Sequence, residues 1–224
     1  MKSDDPLLKP QYRMPRVFGA LPGPRNVPRD RQGLRNNQVS TLLTVSVRSE
    51  AAALAELLPP GCELDGEPQF SVTFTWLTNI GWLAGHGYNV VTLAIPVRHQ
   101  SKSHGLVRGN FLPVVWENLA DPILTGREEL GWAKLYADIP EPVVLGDRWS
   151  ARASWKGFRF LDLEVDGLQP AQAPPPPIAG QFHFKHVPRT GSLGEADVQY
   201  LEYSPPGVAA AGYGPPPVTL RQAG

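Results

Sequence analysis

No stretch of this chain runs far without a proline or a glycine, of which there are 25 and 22 among 224 residues. Each interrupts a helix: proline removes an N–H and clashes with the preceding turn, and glycine costs conformational entropy. Between the interruptions several segments alternate apolar and polar residues, the period of a half-buried strand. The chain is therefore expected to be mainly β, an α+β fold of many short strands with a few short helices. Its length is enough for one large domain with a substantial core.

The strands can be placed in order. Ser40 to Arg48 sets Leu43, Val45 and Val47 against Leu42, Thr44, Ser46 and Arg48. Ser49 is expected to cap an alanine-leucine helix that Pro59-Pro60-Gly61 stops. Phe70 to Leu77 groups Val72, Phe74 and Trp76 opposite Ser71, Thr73 and Thr75, a hydroxyl face suited to a cavity wall. Asn89 to Val97 is β-branched, and Phe111 to Trp116 is an apolar strand. Between them His99 to Gly109 reads as a solvated hairpin tip, with a basic phosphate-binding loop as the sharper alternative. Trp149 to Trp155 and Arg159 to Val165 form a hairpin around Gly157, and Phe182 to Pro188 pairs with Val198 to Tyr203. Residues 1–37 keep no period and read as an extended arm, 38–204 as the domain, and 205–224 as a loosely ordered tail. Pro174 to Pro177 reads as a stiff polyproline loop, or more sharply as a ligand for a proline-recognition module.

Composition excludes several classes. Basic and acidic residues both number 21, so no net field draws in nucleic acid or an anionic membrane. The single cysteine, Cys62, allows no intrachain disulfide and no thiolate-rich zinc site, which suits a reducing, cytoplasmic setting. Met1 to Pro6 carries acids where a signal peptide needs bases, and no apolar run approaches about 18 residues. His183 and His186, three apart on a strand, point to opposite faces, so no metal site is expected. Nucleophile-elbow, phosphate-loop and dinucleotide fingerprints are missing from the sequence, and no cofactor is expected.

Chemistry concentrates between Asp121 and Asp138. Asp121 is a good N-cap, Pro122 suits a first turn and Gly131 suits a helix end, so a short helix is expected over Ile123 to Leu130. A strand follows in which Trp132, Lys134 and Tyr136 share one face. The bland account of that lysine is a stem packed on aromatic rings with its ammonium in water.

The order of the segment points elsewhere. Gly126-Arg127-Glu128, followed six residues later by Lys134 in Trp132-Ala133-Lys134, resembles the signature of the acetoacetate decarboxylase family. There a Gly-Arg-Glu segment runs into aromatic-Pro-Lys, and the lysine forms a Schiff base with a keto acid. Ala133 stands in place of the proline, and Leu135 in place of the second lysine of the best-known decarboxylases. Tyr12-x-Met14-Pro15 with Phe18-Gly19, the opening strand and helix, and the Lys185-x-Val187-Pro188 strand end extend the resemblance from about residue 12 to about residue 204.

The resemblance implies a curved sheet or cone-like β-barrel around a central cavity, homo-oligomeric assembly, and a metal-independent carboxy-lyase whose partner is a small keto acid. Lys134 would be the nucleophile. Only a free amine attacks a ketone, so a lysine whose ordinary pKa is near 10.4 must be brought close to neutrality; acetoacetate decarboxylase is itself a standing example of such activation, by burial or a neighbouring cation. With Leu135 beside it, the expected lever is desolvation by Trp132, Tyr136, Trp116 and Phe74. Gly126, Arg127 and Glu128 form the structural motif. Arg48 and Arg127 are candidates to hold a substrate carboxylate by a bidentate fork, although Arg127 would equally pair with Glu128 or Glu129, and Arg48 with water. Two glutamates line the family's pocket. Their positions fall on Thr73 and on Asn89 or Val90, so neither acid is retained there. Tyr136 and Asn89 are candidates to handle protons. Two alternatives stay open: aldol or dehydration chemistry on the same lysine, and a non-catalytic binder of small ligands.

Overall fold

The computed structural model describes residues 38–80, 83–102, 104–170 and 179–206, with short backbone segments at 218–219 and 221–222. The expected arm over 1–37 and the polyproline loop lie outside the described residues, as does most of the tail. The elements in order are β1 (Val39–Arg48), α1 (Ala51–Ala55), β2 (Cys62–Leu64), β3 (Gln69–Thr78), β4 (Tyr88–Ser101), β5 (Gly105–Glu117) and α2 (Ala120–Thr125). A π-helical turn at Gly126–Leu130 follows, then β6 (Lys134–Tyr136), β7 (Val143–Leu145), β8 (Arg148–Trp155), β9 (Phe158–Val165), β10 (Gln169–Pro170), β11 (Gln181–Pro188), β12 (Ala196–Ser204), β13 (Val218–Thr219) and β14 (Arg221–Gln222).

The main sheet runs β12-β11-β5-β4-β3-β1-β13, with β2 beside β4 and β6 beside β5. Its end strands do not pair with one another, so among the described residues the sheet is open: of the two expected forms, a curved sheet or a cone-like barrel, no closed barrel is found. Antiparallel neighbours β3, β4 and β5 are the expected strands, lengthened at their ends. A register shift between Leu93 and Ile95 bends β4 against β5. A separate meander, β7-β8-β9, turns at Gly157, where φ of 82° suits only a residue without a Cβ.

Alternation distributes the core as expected. Leu43, Phe74, Trp76 and Val91 share one face and are buried under Ala151, Ala153 and Trp149 of the meander, while the main chain of Asp138 and Ser154 bonds the meander to the segment after β6. Leu77, Val90, Leu112 and Val115 lie on the opposite face with Ile80, Leu83 and Trp132. A third cluster packs Leu54 of α1 against Ile95, Val97, Phe111 and Phe182. Each fully buried side chain such as Phe74 or Ile95 contributes about 1.5–3 kcal/mol of transfer free energy.

Two helix starts differ from expectation. Glu50, not Ser49, occupies the N-cap of α1, and Ser49 instead donates its backbone N–H to Pro68 O. Leu119 occupies the N-cap of α2, which places Asp121 in the first turn, where its charge favours the helix dipole. At the other end Gly131 closes the turn as expected, with φ of 71°.

Candidate active site

The π-helical turn and β6 together hold the lysine. Trp132 N–H and Gly131 N–H both close back on Gly126 O, fixing the sharp exit from the turn. Arg127 Nη1 donates to the backbone oxygen of Lys134 at 2.9 Å, and Lys185 Nζ of β11 donates to Glu128 O at 2.8 Å. Gly126 has an ordinary helical φ of −64°, so its missing side chain serves space, not backbone freedom. A Cβ there would stand 2.7 Å from Lys134 Nζ and closer still to Cδ and Cε. The Gly-Arg-Glu tripeptide thus acts as a socket: room from the first residue, a tie from the second, a carbonyl for Lys185 from the third.

Lys134 is buried, its side chain 7% exposed. Its Nζ donates to Pro122 O at 3.0 Å, lies 5.0 Å from the Trp132 ring centre, and meets Glu117 Oε1 at 2.8 Å. Glu117 ends β5 and is 2% exposed. Lys134 is in register with Val115 on the parallel strand β5, so Glu117, two residues on, projects from the same face. At 2.8 Å the attraction is on the order of 6 kcal/mol for an effective dielectric near 20, comparable with the several kcal/mol that desolvating each ion costs. The pair therefore adds little net stability; it fixes a position.

Burial pushes the Glu117 carboxyl above its usual range, and the attraction of Lys134 draws it only partly back. Its second oxygen, Oε2, is buried with no hydrogen-bond partner among the described residues. His183 of β11 is fully buried, stacks on Trp132 with ring centres 4.4 Å apart, and has no hydrogen-bond partner at either ring nitrogen among the described residues. Burial, with the charge of Lys134 adding to it, lowers the imidazole to about 4, so it is neutral near pH 7. Each unmet buried polar atom costs about 1–3 kcal/mol, and such atoms are rare away from functional sites. The phenol of half-buried Tyr88 is held well above its ordinary value, chiefly by desolvation, with the charge of Glu117 adding to it.

The residues expected around the amine divide. Lys134, Trp132, Gly126 and Arg127 come together, with the Glu128 backbone. Trp116 and Phe74 do not: they lie on the opposite sheet face, Trp116 against Phe160 and Phe74 against Trp76. Tyr136 is half exposed and donates its hydroxyl to Asp138, so it does not desolvate the lysine. Arg48 is exposed at the end of β1, paired in register with Gln69, and Arg127 spends a donor on the Lys134 carbonyl; neither stands as an open fork beside the amine. Thr73 shares a lateral row with Thr92, Val115 and Lys134, but three strand spacings, about 14 Å, separate it from the lysine, and its hydroxyl bonds Thr44. Asn89 faces the other way and braces the loop after β6, donating to Ile139 O at 2.9 Å and Glu141 Oε1 at 3.1 Å.

Two functional candidates were not singled out from the sequence. Glu117 is the cross-strand partner of Val90, one of the positions where an acid was expected and an apolar residue stands. The carboxylate is thus present at that place in the sheet but comes from the adjacent strand. A lone acid ending the apolar run from Phe111 to Trp116 was the available signal. His183, considered for metal binding alone, is instead a buried aromatic neighbour of the site; among the described residues no group of three metal-ligating side chains occurs.

A mainly β protein organised around a buried lysine and its carboxylate partner is the class that fold and site define. A sequence profile of the acetoacetate decarboxylase (ADC) family matches residues 14–209. The chain belongs to the acetoacetate decarboxylase family. No curated protein matches its sequence significantly. Among solved structures it is similar to an acetoacetate decarboxylase (TM-score 0.61, 18% identity, covering 77% of this chain and 66% of that one) and to the acetoacetate decarboxylase of Legionella pneumophila (0.59, 19%, 77% and 65%). It is also similar to the enduracididine biosynthesis enzyme MppR complexed with the condensation product of pyruvate and imidazole 4-carboxaldehyde (0.57, 17%, 69% and 64%). The matched region thus spans about two thirds of the length of these structures, and at such identities the likeness shows the fold. No helix of the described residues is long and apolar enough to cross a membrane.

Proposed function

We propose that this protein is a lyase acting on a small keto acid through a Schiff base on Lys134, most simply by decarboxylating acetoacetate or a related β-keto acid. The observation that carries the reading is the buried Lys134 amine held 2.8 Å from a buried carboxyl whose affinity for a proton is raised. Reaction needs the proton on Glu117 and the lone pair on Lys134, which sets a free amine beside an acid.

In the proposed reaction the Nζ lone pair adds to the keto carbon. Glu117 protonates the resulting hydroxyl, which leaves as water, and the iminium cation stays beside the Glu117 carboxylate. The bond to the carboxylate carbon then breaks, its electron pair flows to the iminium nitrogen, and CO₂ departs. Protonation of the enamine carbon and hydrolysis release the ketone and restore the amine.

A second reading, aldol-type or dehydration chemistry on the same iminium, is favoured by the likeness to MppR, whose bound compound is a pyruvate condensation product. Borohydride reduction in the presence of acetoacetate or pyruvate, with peptide mass spectrometry, tests both. An adduct on Lys134 that is lost in Lys134→Ala supports the Schiff base, and Lys134-dependent CO₂ release from acetoacetate selects decarboxylation. No adduct with either compound sinks the proposal.

A further inference from the structure

The outer edge of β5 is divided between two parallel strands. β11 pairs there at Asn110 and Phe111, and β6 pairs at Val115 to Glu117. His183 is the first residue of β11 beyond its pairing with β5, and Lys134 is the first of β6 to pair. Their backbones therefore face each other across roughly 10 Å of strand, the rise of about three residues. Trp132 lies in contact with both, stacked on the imidazole and presenting its ring to the amine. The amine and the imidazole are near enough to act on one another electrostatically.

His183 is fully buried and, among the described residues, has no hydrogen-bond partner at either ring nitrogen. Lys134 on β6 and Glu202 on β12 are the charged groups set against it: the first acts on it electrostatically, and the second is its in-register partner across the β11–β12 pair. Glu202 Oε2 is likewise buried without a partner among the described residues. A buried neutral imidazole with one donor and one acceptor unfilled is equipped to take a proton on one nitrogen and release one from the other.

We infer that His183 is the catalytic residue that moves the proton to and from the substrate carbon adjacent to the imine. The inference rests on the Schiff-base reading and names the group that its final proton transfer requires. In the exchange direction, the C–H bond next to the iminium carbon breaks, its electron pair forms the enamine double bond, the C=N pair returns to nitrogen, and the proton goes to His183. In the decarboxylation direction the neutral imidazole takes a proton from solvent on one nitrogen and gives one to the enamine carbon, whose double-bond pair forms the new C–H bond as the nitrogen lone pair restores C=N. The cost is kept low because charge is moved, not created: the positive charge leaves the lysine nitrogen as it arrives on the imidazole, with Glu117 close to the lysine throughout. A neutral enamine also removes the cation that disfavoured protonation of His183.

The test uses the full chain with acetone and pyruvate as probes in D₂O. NMR follows deuterium entering the α-position, and borohydride trapping on the same samples reports imine formation. Wild type is expected to give both. His183→Asn and His183→Gln are expected to keep the Lys134 adduct and to lose exchange by about 100-fold or more, the usual scale of a positioned acid–base group. Added imidazole should restore exchange to His183→Ala. An adduct with undiminished exchange in both amide variants, or wild-type trapping without exchange, overturns the role of His183 and leaves the Schiff base standing. No wild-type adduct overturns the parent reading instead.

Discussion

Glu117 reaches Lys134 from the neighbouring parallel strand, two residues beyond the lysine's register partner Val115, and their charged atoms meet at 2.8 Å with both side chains withdrawn from solvent. The pairing creates a mutual dependence: either partner alone is a buried ionisable group without its counter-ion.

Removing the lysine should therefore cost more than removing the pair. Lys134→Ala leaves Glu117 and Pro122 O unanswered and is expected to lose about 3–5 kcal/mol in urea denaturation. Lys134→Met combined with Glu117→Leu should restore most of that loss or exceed wild type, while forming no borohydride adduct. A double variant as unstable as the single one would show that the pair supplies net stability.

Gly126→Ala separates room from backbone. The helical φ means alanine carries no conformational strain and even gains about 1 kcal/mol of helix propensity. Its Cβ nevertheless enters the space of the lysine side chain. Adduct formation at Lys134 is expected to slow at least about tenfold, because a displacement worth 1.4 kcal/mol already does so, with stability changed by about 1–3 kcal/mol at most. Trapping at the wild-type rate would remove Gly126 from the socket.

His183 makes stability depend on acid. Its folded value of about 4 lies below the unfolded value near 6.5, so between these the unfolded chain takes the proton first. The stabilisation is complete above about pH 6.5 and is lost as pH falls toward 4, by about 3 kcal/mol. Glu117, raised in the folded state, gives the opposite slope in acid, so the quantity to measure is the difference between wild type and His183→Asn. That difference should narrow on acidification; a difference constant with pH contradicts a buried neutral imidazole.

Asn89 is expected to be a brace, not a ligand. Asn89→Val removes donors to Ile139 O and Glu141 and should cost about 1–3 kcal/mol in chemical denaturation. The Lys134 adduct should still form at the wild-type yield. Loss of trapping in a variant that remains folded would return Asn89 to the site.

Local rules made the strands legible. The alternation through Val72, Phe74 and Trp76 sorted one face of β3 onto the buried core, and Gly157 marked a hairpin, because a strand's period and a turn's positive φ are properties of neighbouring residues. The segment from Gly126 to Lys134 was legible for the same reason, all but its widened turn. Asn89, Trp116 and Phe74 were expected near the amine and were not, since their faces depend on register across strands that the chain order does not specify.

The sequence by itself determined a mainly β chain with a lysine set behind a Gly-Arg-Glu turn. Tertiary structure decided what that lysine meets. Glu117 comes from 17 residues upstream and His183 from 49 residues downstream, and only the shared edge of β5 brings both to it. It also decided that the sheet is open among the described residues, because closure depends on whether its two end strands meet, a distance summed over every strand's twist and not written in any one of them.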